Sequence, residues 1–535
     1  MRCVPGLLVL CVPVLGLVST LALGTEFAGG TGDPGDPYLV ATCEQLIQIG
    51  QDPNLLDRHF AMVEDLDMDP NSPRGCIFTQ AVIAPDTDPE HDDFQGMVFT
   101  GSFDGRGHAI RHLTIQSDEG DFLGLFGRVG KKAMIRDLAL ENVRIGSSGY
   151  CLAGLVAFSR GCISHCRVAG QISGSGEWCS CLGLLAGRAW GRIDRCDAEG
   201  TIDCASVSRG GYFGLLVGQN SAHMTDCTSA GAITGGAMCY VVGGLVGDNL
   251  GSIADCRSEC HMIMHSMYGG TGRYGGLVGS NGGPICRSRA IGDISCRKYS
   301  KYVGGLAGYS SGVVQACYAD VEISGECAVN YFGGLAGINC GHLTHAYARG
   351  NVTASLGVGG LAGENWGNIN QCYATGQAVA DKESWIPVGG LVGDGRMGRT
   401  TSSFWDVQTS GIAGSEGGTG LGTLNMQSAE VFLNAGWDFV QERANGTADV
   451  WSMPKDGGYP TLAVFSDGCQ PHPLEGSGTP DDPYRIATAE DLGAICRHDI
   501  TACYCCTHDF PEISGIIAAD RFRTTRTVCR AGQAT

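Results

Sequence analysis

The chain reads Gly243-Gly-Leu-Val-Gly-Asp-Asn-Leu-Gly-Ser-Ile-Ala-Asp-Cys256 near its middle, and this stretch decides the fold. It contains short apolar runs that alternate with small or polar residues and are bounded by glycine turns. That pattern is typical of β-strands, and no helical periodicity of any length accompanies it. The stretch therefore predicts short strands joined by tight turns.

The Gly-Leu-Val-Gly phrase, or a close variant, recurs ten times at spacings of 26 to 32 residues. A unit of this length cannot bury its own apolar face, whereas stacked units can. We therefore predict an all-β, right-handed parallel β-solenoid of about ten 30-residue coils over residues 96–410, with three strands in each coil. A β-propeller is the main alternative, but the units are short for four-stranded blades and too many. The anchor leucines are Leu125, Leu155, Leu185, Leu216, Leu245, Leu277, Leu306, Leu335, Leu361 and Leu391.

The composition excludes several classes of protein. The 535 residues include 85 glycines, but without the every-third spacing of collagen. An apolar content of 43% is sufficient for a large core. The formal net charge of -20 disfavours nucleic acid as a partner, because such a surface repels phosphate backbones.

The N-terminal residues are predicted to be a targeting segment and then a cap. Residues 1–24 have a basic start, an apolar stretch and small residues before Thr25, which is typical of a signal peptide. Residues 25–95 are predicted to cover the first coil, with a short helix that starts at a capping arrangement of Thr42 and Gln45.

Two further segments follow the repeats. Residues 411–465 are predicted to close the solenoid. Residues 466–535 repeat the beginning of the cap, since Gly476–Leu492 matches Gly30–Leu46 at ten of seventeen positions. The sequence therefore predicts that a second module starts here and is truncated or frame-shifted.

Two columns of residues run through the repeats. Cysteines lie eleven residues after the anchor leucine, with lapses at Cys286 and Ala346, and either inter-coil disulfides or buried thiols fit this spacing. Asparagines lie four residues after the leucine and are predicted to form turns in the left-handed conformation, with a ligand-binding row of amides as the alternative. The cysteines are Cys166, Cys196, Cys227, Cys256, Cys317 and Cys372, and the asparagines are Asn220, Asn249, Asn281, Asn339 and Asn365.

The repeat unit, seen most fully at Gly243–Cys256 and Gly359–Cys372, resembles the GLUG repeat of bacterial surface proteins. Flanking segments at Phe99–His108 and Phe404–Gly411, together with Gly436–Phe439, resemble the usual borders of such arrays. The resemblance covers roughly residues 96–464 and implies extracellular or cell-surface display. Some members of the family carry a zinc peptidase that cleaves immunoglobulin A, but its His-Glu-x-x-His signature is absent here, so that activity is not implied.

The sequence signals for metal and modification sites are weaker than the repeat signal. Asp65, Asp67 and Asp69 are predicted to form an acidic outer face of an end strand, and the acidic loop 86–93 is a possible calcium site. His342 and His345 are predicted to face opposite ways, which disfavours a shared metal. Asn351 and Asn445 begin glycosylation sequons. Zinc-ligand residue types also cluster in the tail, without the spacing of a closed zinc site, at Cys496, His498, Cys503, Cys505, Cys506 and His508.

The sequence assigns no catalytic residue and no cofactor, because no nucleophile elbow or other catalytic signature occurs in it. We expect an exported, non-catalytic protein, secreted or on the cell surface, whose partners are extracellular glycans or surface proteins. The alternative is a β-helix carbohydrate-active enzyme, a lyase or a hydrolase, whose paired carboxylates would come from neighbouring coils and so escape detection in the sequence.

Overall fold

The computed structural model of the protein describes residues 26–465 except 74, 89–92, 119, 178, 209, 237–238, 267–271, 299, 327–330, 381–387 and 396, and also residues 484–486 and 504–506. The predicted signal peptide lies outside the described residues. So do the tail residues Cys496, His498, Cys503 and His508.

The described chain winds into a right-handed parallel β-solenoid, which confirms the predicted fold class. Equivalent strands of successive coils pair in register, as Val246 pairs with Val278 and Val278 with Ala307. Four stacked sheets result, named here sheets 1 to 4 in their order along a coil. The ten strands of sheet 2 follow the ten anchor leucines, so about nine turns separate the first from the last.

The strands of each sheet have these bounds. Sheet 1 contains Cys151–Ala153, Cys181–Gly183, Tyr212–Gly214, Val241–Gly243, Gly272–Gly275, Ser300–Gly304, Tyr331–Gly333 and Val358–Gly359. Sheet 2 contains Phe126–Val129, Val156–Ser159, Ala186–Ala189, Val217–Asn220, Val246–Asn249, Val278–Asn281, Ala307–Ser310, Ala336–Asn339, Ala362–Asn365 and Val392–Asp394.

Sheet 3 contains Tyr38–Val40, His59–Met62, Ser102–Asp104, Met134–Arg136, Cys162–Ser164, Arg192–Asp194, His223–Thr225, Ser252–Ala254, Ile285–Cys286, Val313–Gln315, His342–Thr344, Asn368–Asn370 and Arg399–Thr401. Sheet 4 contains Leu66–Asp67, Ala109–Arg111, Thr114–Gln116, Ala139–Ser147, Arg167–Gly176, Asp197–Val207, Thr228–Gly235, Arg257–Ser266, Arg289–Lys298, Tyr318–Glu326, Tyr347–Ala348, Val352–Ala354, Tyr373–Ala374, Ala378–Ala380, Phe404–Asp406 and Thr419–Leu421.

The anchor leucines form the axis of the core. All ten are fully buried and belong to one continuous apolar cluster that runs from the cap to the last coil. Stacking therefore buries in each coil the apolar face that a single unit would leave in water.

A typical coil has four strands rather than the predicted three, because the glycine pair before the leucine breaks one predicted strand into two. At Gly304, an added Cβ would lie 2.0 Å from the carbonyl oxygen of Ala307 and 2.6 Å from the backbone nitrogen of Gly337. Only glycine permits this approach of two backbones, so the phrase marks a sharp corner between sheets 1 and 2.

A second corner, between sheets 3 and 4, depends on single residues in the left-handed conformation. In eight successive coils the residue ten positions after the anchor leucine has φ between 45° and 57°. These residues are His165, Arg195, Asp226, Asp255, Arg287, Ala316, His345 and Gln371.

The N-terminal end of the solenoid is covered by a helix, Cys43–Gln51, and a 3-10 turn, Pro53–Leu55. The helix begins at Thr42, whose hydroxyl accepts a hydrogen bond from the Gln45 backbone, while the Gln45 side chain accepts one from the Thr42 backbone. The predicted capping box is confirmed. Leu46 and Ile49 of the helix are fully buried in the main core.

The segment after the last coil both extends the solenoid and folds along its side. It contains helices Val407–Ser410, Thr423–Met426 and Ala429–Asn434, a 3-10 turn Ala463–Phe465, and an antiparallel pair of Trp451–Ser452 with Thr461–Leu462. A second apolar cluster joins this segment to sheet 4. Its buried members are Tyr347, Tyr373, Phe404, Met426, Phe432, Trp437, Phe439, Trp451 and Leu462.

Two short strands are described beyond residue 465. Tyr484–Ile486 pairs in parallel with Tyr504–Cys506, Tyr484 opposite Tyr504. In the cap, Tyr38–Val40 pairs in parallel with His59–Met62, Tyr38 opposite Phe60.

Candidate functional site

The outer faces of sheets 1 and 2 meet in a V-shaped groove that runs along the solenoid, called here the V-groove. Side chains seven residues apart touch across it. The Arg188 Nε donates to the Cys181 Sγ over 3.2 Å, and the Arg273 Nη1 donates to the Ser280 Oγ over 3.2 Å. Such contacts require a re-entrant corner, because side chains on a convex corner would diverge.

The walls of the V-groove are two in-register columns. The sheet 1 wall is formed by Cys151, Cys181, Tyr212, Val241, Arg273, Tyr302 and Tyr331. The sheet 2 wall is formed by Arg128, Phe158, Arg188, Gln219, Asp248, Ser280, Tyr309, Ile338, Glu364 and Asp394.

Aromatic rings line the middle of the V-groove. Tyr302 stacks on Tyr331 with ring centroids 6.2 Å apart, and Tyr309 lies 6.5 Å from Tyr302 across the groove. The Arg273 guanidinium lies 4.4 Å from the Tyr309 ring centre. The Tyr302 and Tyr331 planes lie within 16° of parallel, whereas the Tyr309 ring is tilted by 54° to that of Tyr302. Aromatic rings with polar groups beside them are the usual lining of a site for a ring-shaped, hydroxyl-rich ligand.

A polar stretch of the V-groove lies on the N-terminal side of the aromatic stretch. Asp248 is 8% exposed, accepts a hydrogen bond from the Gln219 Nε2 over 3.3 Å and lies beside Ser280. Burial raises the pKa of the Asp248 carboxyl above its ordinary value. This carboxyl therefore binds a proton more readily than an exposed one and can accept or donate a hydrogen bond in the groove.

The C-terminal end of the V-groove carries two carboxylates on adjacent coils. Glu364 and Asp394 are register partners in sheet 2 and are 8% and 2% exposed. Partners on neighbouring strands lie about 4.8 Å apart. This pair is the convergence of acidic residues that the sequence alone could not reveal.

The groove residues escaped sequence reasoning, although a signal for them exists. They occupy the third position after the anchor leucine, where the repeats vary from arginine through tyrosine to aspartate. Variation at one position of an otherwise regular repeat indicates a face that core packing does not fix, although Phe158, Asp248 and Ser280 are each at most 8% exposed.

The asparagine column lies inside the solenoid and takes part in the turns after the sheet 2 strands, as predicted. The Asn220 Oδ1 accepts a hydrogen bond from the Ala222 backbone over 3.0 Å. The five side chains are at most 1% exposed, and none of these residues has a positive φ. The amides bond to one another from coil to coil, as the Asn220 Nδ2 donates to the Asn249 Oδ1 and the Asn249 Nδ2 to the Asn281 Oδ1, each over 2.8 Å. The turns therefore form without the left-handed conformation, and a column this deeply buried is not a ligand-binding row.

The cysteine column is a second internal ladder. Its six members are buried free thiols, and each donates to the carbonyl oxygen two residues earlier, as Cys256 does to Ala254 over 3.1 Å. At the predicted lapse near Cys286, Ser288 takes the place of the thiol, and its Oγ donates to the Cys286 carbonyl over 2.8 Å. Burial raises the pKa of Cys372 to about 12, so this thiol is neutral at physiological pH.

The acidic end strand is engaged by basic side chains. Asp65 accepts hydrogen bonds from the Ala109 backbone and from His108, and it forms an ion pair with Arg111 at 3.0 Å. Asp67 is hydrogen-bonded to His112 over 2.7 Å. The Ala109 backbone bond and the His108 contact lower the pKa of Asp65, and the His112 contact lowers that of Asp67.

The remaining candidate metal ligands are not brought together by the fold. His342 contacts Asn368 and His345 contacts Gln371, so the two histidines share no partner. Asp86 accepts from the Gln95 backbone over 3.0 Å, and the rest of the acidic loop, at 89–92, lies outside the described residues. Among the residues that the structure describes, no three His, Cys, Asp or Glu side chains are placed to hold a metal ion.

The two sequons differ in their surroundings. The Asn351 amide is exposed and contacts Glu322, whereas the Asn445 Nδ2 donates to the carbonyl oxygens of Leu433 and Trp437 over 2.7 Å and 3.0 Å. The Asn445 amide is thus part of the closing segment's packing.

No family model matches the chain. It is similar to Halomucin of Haloquadratum walsbyi, with 29% identity over 162 residues, and to a putative Gly-rich membrane protein of Evansella cellulosilytica, with 30% identity over 125 residues. These matches cover 29% and 23% of this chain but only 2% and 13% of the two relatives. The fold is similar to the crystal structure of a putative immunoglobulin A1 protease from Bacteroides ovatus, with 12% identity, a TM-score of 0.32, and coverage of 82% of this chain and 96% of the other.

Within the described part of the chain, no helix combines the length and apolar character needed to cross a bilayer.

Proposed function

We propose that this protein is an exported, non-catalytic binding module that holds an extended glycan in the V-groove. The observation that carries the proposal is the cluster of Tyr302, Tyr309 and Tyr331, with Arg273 beside it. Flat rings spaced by the coil repeat suit the faces of successive sugar rings, and the polar wall supplies hydrogen bonds to hydroxyl groups. Weak contacts repeated along a rigid rod add up to useful avidity.

The location at the cell surface or outside the cell is part of the same proposal. It is supported by the signal-peptide pattern of residues 1–24 and by the resemblance to GLUG repeats. The names of the two partial relatives, a mucin-like name and a Gly-rich membrane protein, agree with such a location.

The test compares the wild-type protein with Tyr302→Ala and Tyr309→Ala against a panel of soluble polysaccharides, by affinity electrophoresis and calorimetry. Loss of one stacking ring is expected to weaken binding about 5- to 30-fold, which corresponds to about 1–2 kcal/mol. Leu424→Ala is the control, because Leu424 is an 84% exposed apolar residue of the closing segment. Unchanged affinity in both tyrosine variants, with native circular dichroism, would exclude the V-groove as the site.

A carbohydrate-active enzyme is the second candidate, because Glu364 and Asp394 approach each other from adjacent coils. Their strands lie about 4.8 Å apart, a spacing that permits the separation of roughly 5 Å between the carboxyl groups of retaining glycosidases. The same polysaccharides are therefore assayed for new reducing ends. Depolymerisation that disappears in Glu364→Gln and Asp394→Asn, while binding persists, would replace the non-catalytic proposal.

A further inference from the structure

We infer that the N-terminal end of the V-groove is an anion-selective subsite, in which Arg128, Arg160 and Arg188 bind the carboxylate or sulfate group of an acidic glycan. The inference rests on the proposed glycan-binding function, since it names the class of sugar that this same groove prefers. It is carried by the placement of the three arginines relative to aromatic rings and to one another.

The first two arginines sit on aromatic faces at the groove's edge. The Arg128 guanidinium carbon lies 5.3 Å from the Phe94 ring centre and 5.0 Å from that of Phe158. The Arg160 guanidinium lies 4.8 Å from the Trp190 ring, which itself packs edge-on against Phe158 at 5.0 Å. Stacking holds both planar cations in fixed orientations and leaves their N–H edges available for a planar anion.

The third arginine continues the same column. Arg128, Phe158 and Arg188 are successive register partners in sheet 2, so positive charge recurs on every second coil with an aromatic ring between. Arg188 lies 4.6 Å from the Tyr150 ring and donates to the Tyr150 hydroxyl and the Cys181 Sγ. The described residues thus engage two of its five N–H groups.

The local charge is unusual for this protein. Arg128 and Arg160 are close enough to repel each other, and neither forms an ion pair with a carboxylate of the described residues. Burial, reinforced by Arg160, lowers the pKa of Arg128, while Asp93 and Asp86 oppose the change from a distance. On a chain of net charge -20, two adjacent and partly desolvated guanidiniums without a bonded carboxylate favour an external anion.

The opposite end of the V-groove carries the opposite charge. Glu364 and Asp394 lie on the same wall at the C-terminal end, where an anionic sugar would be repelled. A ligand with an acidic unit therefore gains most when that unit lies at the arginine end. The charge gradient gives the groove a preferred ligand direction.

The experiment measures binding of polygalacturonate, dextran sulfate and neutral dextran to the full-length protein at low and at physiological salt. We expect at least tenfold tighter binding of one or both acidic polymers than of dextran, with the preference reduced by salt. Arg160→Gln should lower affinity for the preferred acidic polymer about five- to tenfold, a larger loss than it causes for dextran. Polygalacturonate and dextran sulfate together distinguish a carboxylate from a sulfate ligand.

Arg399→Gln is the matched control, because Arg399 is exposed on sheet 3 outside the V-groove. Equal effects of the two arginine variants, or equal affinity for dextran and both acidic polymers, would overturn the inference while leaving the proposed function standing. Acidic binding that depends on Arg160 but not on Tyr302 or Tyr309 would support the subsite and contradict the tyrosine platform. Failure of all three polymers to bind would overturn both.

Discussion

At the scale of single residues, the interior of this solenoid is organised by hydrogen-bonded ladders as well as by apolar contact. Asn220, Asn249 and Asn281 pass a hydrogen bond from coil to coil, and Asn281 continues it to the Ser310 hydroxyl over 3.3 Å. The thiols of the cysteine column are also hydrogen-bonded, each to the carbonyl two residues earlier. Ser288 and Ser403 can replace a thiol because a hydroxyl makes the same hydrogen bond. Polar groups inside a core are tolerated where they are paired in this way.

Asn249→Ala should be strongly destabilising, because it leaves the Asn220 Nδ2 without its acceptor and the Asn281 Oδ1 without its donor. Two buried polar groups without hydrogen bonds cost about 2–4 kcal/mol together. We expect a clearly lower midpoint in urea unfolding followed by circular dichroism. Asn425→Ala, at an exposed helical position, should stay within about 0.5 kcal/mol of wild type. Similar midpoints for the two variants would show that the ladder contributes little.

At the scale of the element, the corner between sheets 1 and 2 is the feature that creates the V-groove. The two sheets can approach this closely only because the residues at the corner have no Cβ. The Gly-Gly-Leu phrase thus has two consequences: the leucine fills the core, and the glycines bring the outer columns of the two sheets into contact.

Gly304→Ala should disrupt the corner, because the added methyl group would lie 2.0 Å from the Ala307 carbonyl oxygen, which cannot move without breaking strand pairing. We expect a loss of several kcal/mol or failure to fold, on the scale of severe overpacking. Gly414→Ala is the matched control, since nothing lies within 4 Å of its added Cβ. It should be neutral, or stabilising by about 0.4–1 kcal/mol. Thermal unfolding of the purified variants decides between these outcomes.

At the scale of the whole molecule, the stacked sheets end in strands that could pair with other chains. Tyr38–Val40 and the helix Cys43–Gln51 cover the first coil, and the segment after Phe404 adds the strand Thr419–Leu421 to sheet 4. Covered ends are required of a solenoid, because an open sheet edge templates further pairing.

Deletion of residues 26–51 should cause self-association, because His59–Met62 would become an open edge beside exposed core. Size-exclusion chromatography with light scattering should show species larger than wild type that grow with concentration. Thr42→Ala is the control, since loss of the helix cap costs about 1 kcal/mol but leaves the edge covered. A deletion variant that elutes at the wild-type size, less the missing mass, would contradict the capping role.

The sequence by itself determined the β-solenoid, the burial of the ten leucines and the capping box at Thr42. These follow from periodicity and from local hydrogen bonding, both of which act between residues near in the chain or at equal positions of a repeat. The strand number per coil was not predicted correctly, because the glycines hid a corner inside an apparently continuous strand.

Only the tertiary structure decided which way each column faces. Whether Asn249 points to the core or to a ligand, and whether Arg273, Tyr302 and Tyr309 meet, depends on the local bend of the backbone and on contacts between coils. The left-handed residues at the second corner, including Ala316 and Arg287, were equally hidden, because stacking on the neighbouring coils rather than residue type imposes their conformation. Side-chain direction in a solenoid is therefore a property of the stack, and the candidate site became visible only once the coils were assembled.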